Sequence, residues 1–92
     1  MTEDQMMRAL RSVGMTAFVA HMALWEGRQD AATAAEALHL TTGWQPTACR
    51  TRVSYARAIL KAGLRRAALE RVAGAVRVDD ATRDQARRLL RG

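Results

Sequence analysis

Apolar residues in this chain recur at three- and four-residue spacing, and isolated glycines punctuate the runs. That period belongs to helices with one buried stripe, and a glycine between two such runs reads as a stop. Thr2 and Gln5 are spaced as a capping box ahead of Met6, Met7 and Leu10, and Gly14 ends or bends that segment. Met15, Phe18, Val19, Met22 and Trp25 follow as a second helical run, closed by Gly27. Asp30 is placed to cap a helix from Ala31 to Leu38, with Ala35 and Leu38 inward. Thr41 to Gln45 read as a loop. Pro46 suits the first turn of the next helix, which runs to about Ala62 and stops at Gly63. Leu64, Ala68 and Val72 predict a further short helix, and Val76 to Val78 read as extended. Asp79 or Asp80 caps a last helix with Ala86, Leu89 and Leu90 inward. No strand pair emerges. The expected fold is all-α: a single domain over 1–92, a small bundle of about five or six helices.

A chain of 92 residues supports one compact domain and not two. An apolar share of 49% with 26% charged residues argues against a disordered tail. No apolar run approaches the ~18 residues of a membrane span; Thr16 and His21 interrupt the most apolar stretch, Met15 to Trp25. The acidic start does not read as a secretory signal. A single cysteine, Cys49, excludes an internal disulfide framework. The expected location is the cytoplasm, with no membrane partner.

Fifteen basic and nine acidic side chains give a net charge of +6. All the bases but Lys61 are arginine, the residue that suits phosphate and carboxylate forks. A GC-rich genome also writes arginine at any basic position, and the nineteen alanines carry the same bias. Position is therefore more informative than the total. Between Ala37 and Leu69 there is no acid, while Arg50, Arg52, Arg57, Lys61, Arg65 and Arg66 all fall there. Such unopposed charge is either a solvated face or a surface for an anionic partner. In the last helix Asp80 and Asp84 are spaced to pair with Arg83, Arg87 and Arg88.

On a helical wheel over 47–62, Cys49, Val53, Ala56 and Leu60 share one face, with Ile59 at its margin. Arg50, Ser54, Arg57 and Lys61 form an adjacent stripe, continued by Thr47 and Thr51. A DNA-reading helix needs this combination: short polar side chains near its N-terminus for base edges, and cations for phosphates. The helix before it is short and alanine-rich, as the supporting helix of a helix-turn-helix usually is.

The run Ala48-Cys-Arg-Thr-Arg-Val-Ser-Tyr-Ala-Arg-Ala-Ile-Leu60 resembles the recognition helix of sigma-factor region 4 and related helix-turn-helix proteins, roughly T-V-K-S-R-L-S-R-A-R-x-x-L. Arg50 falls on that pattern's lysine, Thr51 on its serine, Arg52 on its arginine and Val53 on its leucine; Ser54, Ala56 and Arg57 match directly. Ala34-Ala-Glu-Ala-Leu-His-Leu40 is similar to the family's supporting helix. The resemblance covers residues 31–64 and implies a helix-turn-helix-like pair that meets DNA in the major groove. Two departures stand out. The turn from Thr41 to Pro46 is several residues longer than the family's tight turn, and His39 occupies the place of its usual glycine. Small phage and mobile-element proteins reuse the same framework to bind proteins.

The remaining features read as structure more readily than as chemistry. Trp44, in the loop, is either an interface anchor or a lid folded back on the core, and the lid is preferred. Trp25 and most methionines match core spacing. His21 and His39 have no carboxylate or cysteine at ligand spacing, so no metal is expected. Cys49 lies on the apolar face and reads as a small hydrophobe. No glycine-rich phosphate loop and no convergent carboxylate pair appears, so neither a cofactor nor catalysis is expected.

The leading expectation is a small basic DNA-binding protein, a transcription regulator. In it Thr47, Arg50, Thr51 and Ser54 approach base edges, and Arg57, Lys61, Arg65 and Arg66 hold phosphates; the resemblance adds Arg52. Its partner would be double-stranded DNA. A module this small suggests a homodimer or a larger complex, with the apolar N-terminal segment as the expected dimer surface. The alternative is a phage-type inhibitor or adaptor, such as an anti-CRISPR or polymerase-binding factor, that docks its basic face on a nucleic-acid-binding host protein complex. A ribosome- or RNA-associated role comes third, weakened by an aromatic content of 4%.

Overall fold

In the computed structural model, which describes residues 1–92, the chain forms seven helices and no strand. These are α1 (Glu3–Val13), α2 (Met15–Ala20), α3 (Met22–Glu26), α4 (Ala31–Thr42), α5 (Pro46–Lys61), α6 (Arg65–Ala73) and α7 (Asp80–Arg91). Most helix starts follow the chemistry read from the sequence. Thr2 and Gln5 close a reciprocal capping box on α1. Asp30 accepts from the Thr33 amide at 2.8 Å and Asp79 from the Thr82 amide at 3.1 Å, each satisfying a donor that its helix leaves open. Pro46 sits in the first turn of α5, where its missing N–H breaks no bond.

Three segments depart from the expectation. The run from Met15 to Trp25 is two helices, which makes the count seven rather than five or six. The break falls at His21, where no glycine or proline marks it. A side-chain bond accompanies it: the Trp25 indole N–H donates to the Phe18 carbonyl at 3.0 Å, the acceptor that a continuous helix would offer to the Met22 amide. Helix α4 runs four residues beyond Leu38. The Thr41 and Thr42 hydroxyls, read as loop formers, donate back to the Ala37 and Leu38 carbonyls at 2.9 and 2.7 Å. Val76 to Val78 is a bend rather than an extended stretch. The Arg83 Nη1 donates to the carbonyls of both Ala75 and Val78 at 2.8 Å, which curls the chain around one guanidinium.

Helix α5 is the central element. It packs against α1, α3, α4 and α6, while α6 and α7 pair with each other and close against α2. Cys49, Val53, Ala56 and Ile59 of α5 are fully buried. Ile59 thus takes the inward place expected of Leu60, which is half-buried at the margin. They join one contiguous core with Met6, Leu10 and Val13 of α1, Phe18 of α2, Met22 and Trp25 of α3, Leu38 of α4, and Leu69 and Val72 of α6. Each large side chain so buried contributes about 1.5–3 kcal/mol. The apolar stripe of the N-terminal segment, anticipated as a dimer surface, is turned into this core. No helix is long and apolar enough to cross a membrane.

Candidate nucleic-acid interface

The α4–α5 pair is joined by three residues, Gly43 to Gln45. Half of the extended turn read from the sequence, Thr41 to Pro46, is taken up by the two helices: Thr41 and Thr42 belong to α4 and Pro46 to α5. A link this short lies within the three to four or so residues usual in helix-turn-helix pairs. Gly43 makes it possible: at φ +76° it occupies the left-handed region, and its N–H donates to the His39 carbonyl at 2.8 Å. The Trp44 amide then donates to the Thr42 hydroxyl at 3.1 Å. The Trp44 carbonyl accepts from His39 Nδ1 at 2.6 Å, so that nitrogen carries the proton. The Trp44 ring folds back against the core with its edge relation to His21 at 5.8 Å between centroids, as the lid reading anticipates.

The outer face of α5 presents Thr47, Arg50, Thr51, Ser54 and Lys61 to solvent. Thr51 donates its hydroxyl to the Thr47 carbonyl at 3.1 Å, which leaves its oxygen able to accept. No acid lies on this helix. The nearest in the pair is Glu36 of α4, which with His39, Pro46 and Arg50 lines a hollow of about 350 Å³ between the two helices. Arg66, also expected as a contact, is exposed on α6.

The other three cations of the expected set are held by the fold itself. Arg52 points away from the outer face: its Nη1 donates to the Val13 carbonyl at 2.6 Å and its guanidinium lies over Trp44. Arg57 reaches the end of α3, where Nε donates to the Trp25 carbonyl at 3.2 Å and Nη2 to those of Leu24 and Gly27 at 3.3 Å. Arg65 pairs with Glu26 at 3.1 Å and donates to the Leu89 carbonyl at 3.4 Å. Arg83, and more weakly Arg87 on Ala73, serve main-chain carbonyls in the same way. Part of the arginine content thus has a structural role, whatever its origin. It satisfies carbonyls that short helices leave open at their C-terminal ends, where positive charge also meets the negative end of the helix dipole.

Two electrostatic effects shape the surroundings. His21 is held below its ordinary pKa, first by partial burial and then by the positive charge of Arg52. Asp30 is held below its ordinary value chiefly by the Thr33 hydrogen bonds, with a smaller contribution from Arg57. Sequence reasoning missed Arg28, which the bend after α3 brings beside Arg57, Lys61 and Arg65 around one cleft; nothing local in the sequence marks it. It also missed Tyr55, 43% exposed at the edge of the outer face of α5. For Arg52 a signal was present: it stands three residues after Cys49 and four before Ala56, on the buried side of the wheel. No protein-family profile, no curated protein and no solved structure matches this chain.

Proposed function

We propose that this chain is a small DNA-binding protein that lays the outer face of α5 in the major groove of double-stranded DNA and acts as a transcription regulator. One observation carries the reading. The exposed stripe of α5 combines short hydroxyl side chains with Arg50 and Lys61, and the helix holds no acid. Arg50 supplies a bidentate donor suited to a guanine edge, and Thr47, Thr51 and Ser54 suit either base edges or phosphates. Lys61 and Arg66 hold phosphates farther along. The three-residue link at Gly43 supports a helix-turn-helix-like pair of the kind the recognition-helix resemblance implies. Arg52 and Arg57 act in this reading by fixing α5 on α1 and α3. No catalytic step belongs to it. A single module of this size binds weakly, so two copies would act together on one site.

A salt series of binding to random-sequence duplex, read by fluorescence anisotropy, tests the proposal. Neutralising ~4–6 phosphates gives a log–log slope of about −4 to −5. Arg50→Ala weakens binding and relaxes sequence preference, whereas Lys61→Ala weakens all sequences alike. Absence of binding at low salt would sink the DNA reading.

A second reading is an inhibitor or adaptor that docks on a nucleic-acid-binding protein complex. It is favoured by the two large apolar side chains left in solvent on the same helix pair, Leu40 at 76% and Tyr55 at 43% exposure. It expects feeble, sequence-blind DNA binding together with a stoichiometric protein complex weakened by Leu40→Ser or Tyr55→Ser.

A further inference from the structure

A shallow cleft of about 530 Å³ lies where the bend after α3 meets the C-terminal end of α5 and the start of α6. Four cations and one acid line it: Arg28, Arg57, Lys61 and Arg65, with Glu26. Glu26 is already paired with Arg65. Arg28 and Lys61 are exposed and take part in none of the four ion pairs of the chain. Arg57 is the fixed point. Its Nε and Nη2 are committed to three carbonyls of α3 and the residue after it, which sets the plane of the guanidinium, while Nη1 takes no part in these bonds. A guanidinium held through Nε and Nη2 with Nη1 uncommitted can donate to a phosphate oxygen at little further cost in rotamer freedom. Two exposed, unpaired cations beside it, Arg28 and Lys61, can close on the remaining oxygens.

We propose that this cleft is a phosphate clamp, a site for a phosphate group of the nucleic-acid backbone, with Arg57 as the preset donor and Arg28 and Lys61 as the closing arms. The proposal deepens the DNA-binding reading and rests on it for the source of the phosphate. Lys61 belongs both to the cleft and to the outer stripe of α5. A strand whose bases meet Thr47, Arg50 and Ser54 would therefore reach the cleft with its backbone beyond the last turn of α5. Arg28, on the chain between α3 and α4, thereby becomes a contact residue that the helix pair alone does not supply.

The test uses the whole chain, with Arg28→Ala and Lys61→Ala made singly and together. Both side chains are exposed, and unchanged circular dichroism and thermal midpoint confirm intact folding. Pyrophosphate at millimolar concentration, followed by proton–nitrogen NMR, is expected to move the Arg57 Nε–H signal and the amides of Gly27 to Gln29, and to lose that effect in the double variant. In duplex binding the double variant is expected to lower the salt slope by about 2, near 0.9 per lost contact, and to keep its sequence preference. Absence of pyrophosphate shifts in the parent overturns the clamp. Duplex binding with an unchanged salt slope in Arg28→Ala also overturns it, and leaves the α5 reading, which does not use Arg28, standing. Pyrophosphate shifts confined to the cleft in a protein that binds no duplex support the phosphate site and overturn the α5 reading instead.

Discussion

The guanidinium carbon of Arg52 lies 4.2 Å from the centroid of the Trp44 ring while its Nη1 donates to the Val13 carbonyl at 2.6 Å. One side chain thus ties the end of α1 to the turn between α4 and α5. A hydrogen bond from a charged donor contributes about 1.5–3 kcal/mol and a cation–π contact about 0.5–1 kcal/mol at a partly exposed site. Arg52→Ala is expected to cost about 2 kcal/mol in urea unfolding followed by tryptophan fluorescence. Arg52→Lys should recover less than half, because an ammonium neither stacks flat nor spans both partners. A loss below about 0.5 kcal/mol would mean that the tie is idle.

Arg57 gives a second case, separable from the first. Its three acceptors all belong to the end of α3 and the residue after it. Arg57→Ala takes a donor from each of those carbonyls, with only Leu24 keeping the Gly27 amide at 3.4 Å, and is expected to lower the thermal midpoint by on the order of 10 °C, since 1 kcal/mol moves a domain of this size by about 4–8 °C. Arg57→Lys is expected to behave nearly like alanine. A lysine variant as stable as the parent would show that charge, not the planar fork, is what α3 requires. Weakened DNA binding in Arg57→Ala therefore needs a stability control before it is read as a lost contact.

The position of His21 makes stability depend on pH in a stated direction. Its folded pKa lies below the ordinary imidazole value of about 6.5. The unfolded chain then binds the proton more readily, so stability is fully present above about 6.5 and is lost as pH falls toward the lowered folded value. The groups facing it are Trp25, Trp44 and Arg52, and only Arg52 carries charge. Urea midpoints are expected to drop between neutral and mildly acidic buffer in the parent, and to drop less in His21→Phe, which keeps an aromatic edge against both tryptophans. Equal slopes in the two proteins would remove His21 as the cause. Asp30 and Asp79, whose pKa values their capping bonds lower, add a separate loss of stability only below the carboxylate range.

At Gly43 the expected effect depends on backbone preference and not on space. A Cβ there would meet nothing within 4 Å, yet φ is +76°. Gly43→Asn should be tolerated, because asparagine visits the left-handed region, whereas Gly43→Val should cost at least about 1–2 kcal/mol. Thermal unfolding of the two variants checks this. If valine were harmless, the three-residue link would be able to adopt another conformation.

Helix identity was largely legible because its signals are local: the Thr2–Gln5 box, the Asp30 and Asp79 caps, Pro46 and Gly63 all lie at the ends they specify. The Asp80–Arg83 and Asp84–Arg87 pairs were legible for the same reason. What was not legible depends on partners far along the chain. The break at His21 is accompanied by a bond from an indole seven residues beyond its acceptor. The role of Arg52 depends on a carbonyl 39 residues away, and that of Arg57 on carbonyls 30 to 33 away. A helical wheel sorts side chains by direction, but it cannot tell an arginine that meets solvent from one that meets another helix end. For Thr47, Arg50, Thr51, Ser54 and Lys61 the direction on the wheel was enough to give their exposure.

The helix whose outer face is proposed to meet a partner also packs against four others. Binding surfaces are often drawn from the least protected parts of a protein, such as loops and lids. Here the backbone amides of α5 should be among the slowest to exchange with solvent, opening only when the whole domain opens. A partner would meet a surface already in its bound shape, with little ordering cost on association. Substitutions at the inner arginines would then weaken recognition from a distance, by letting the helix move.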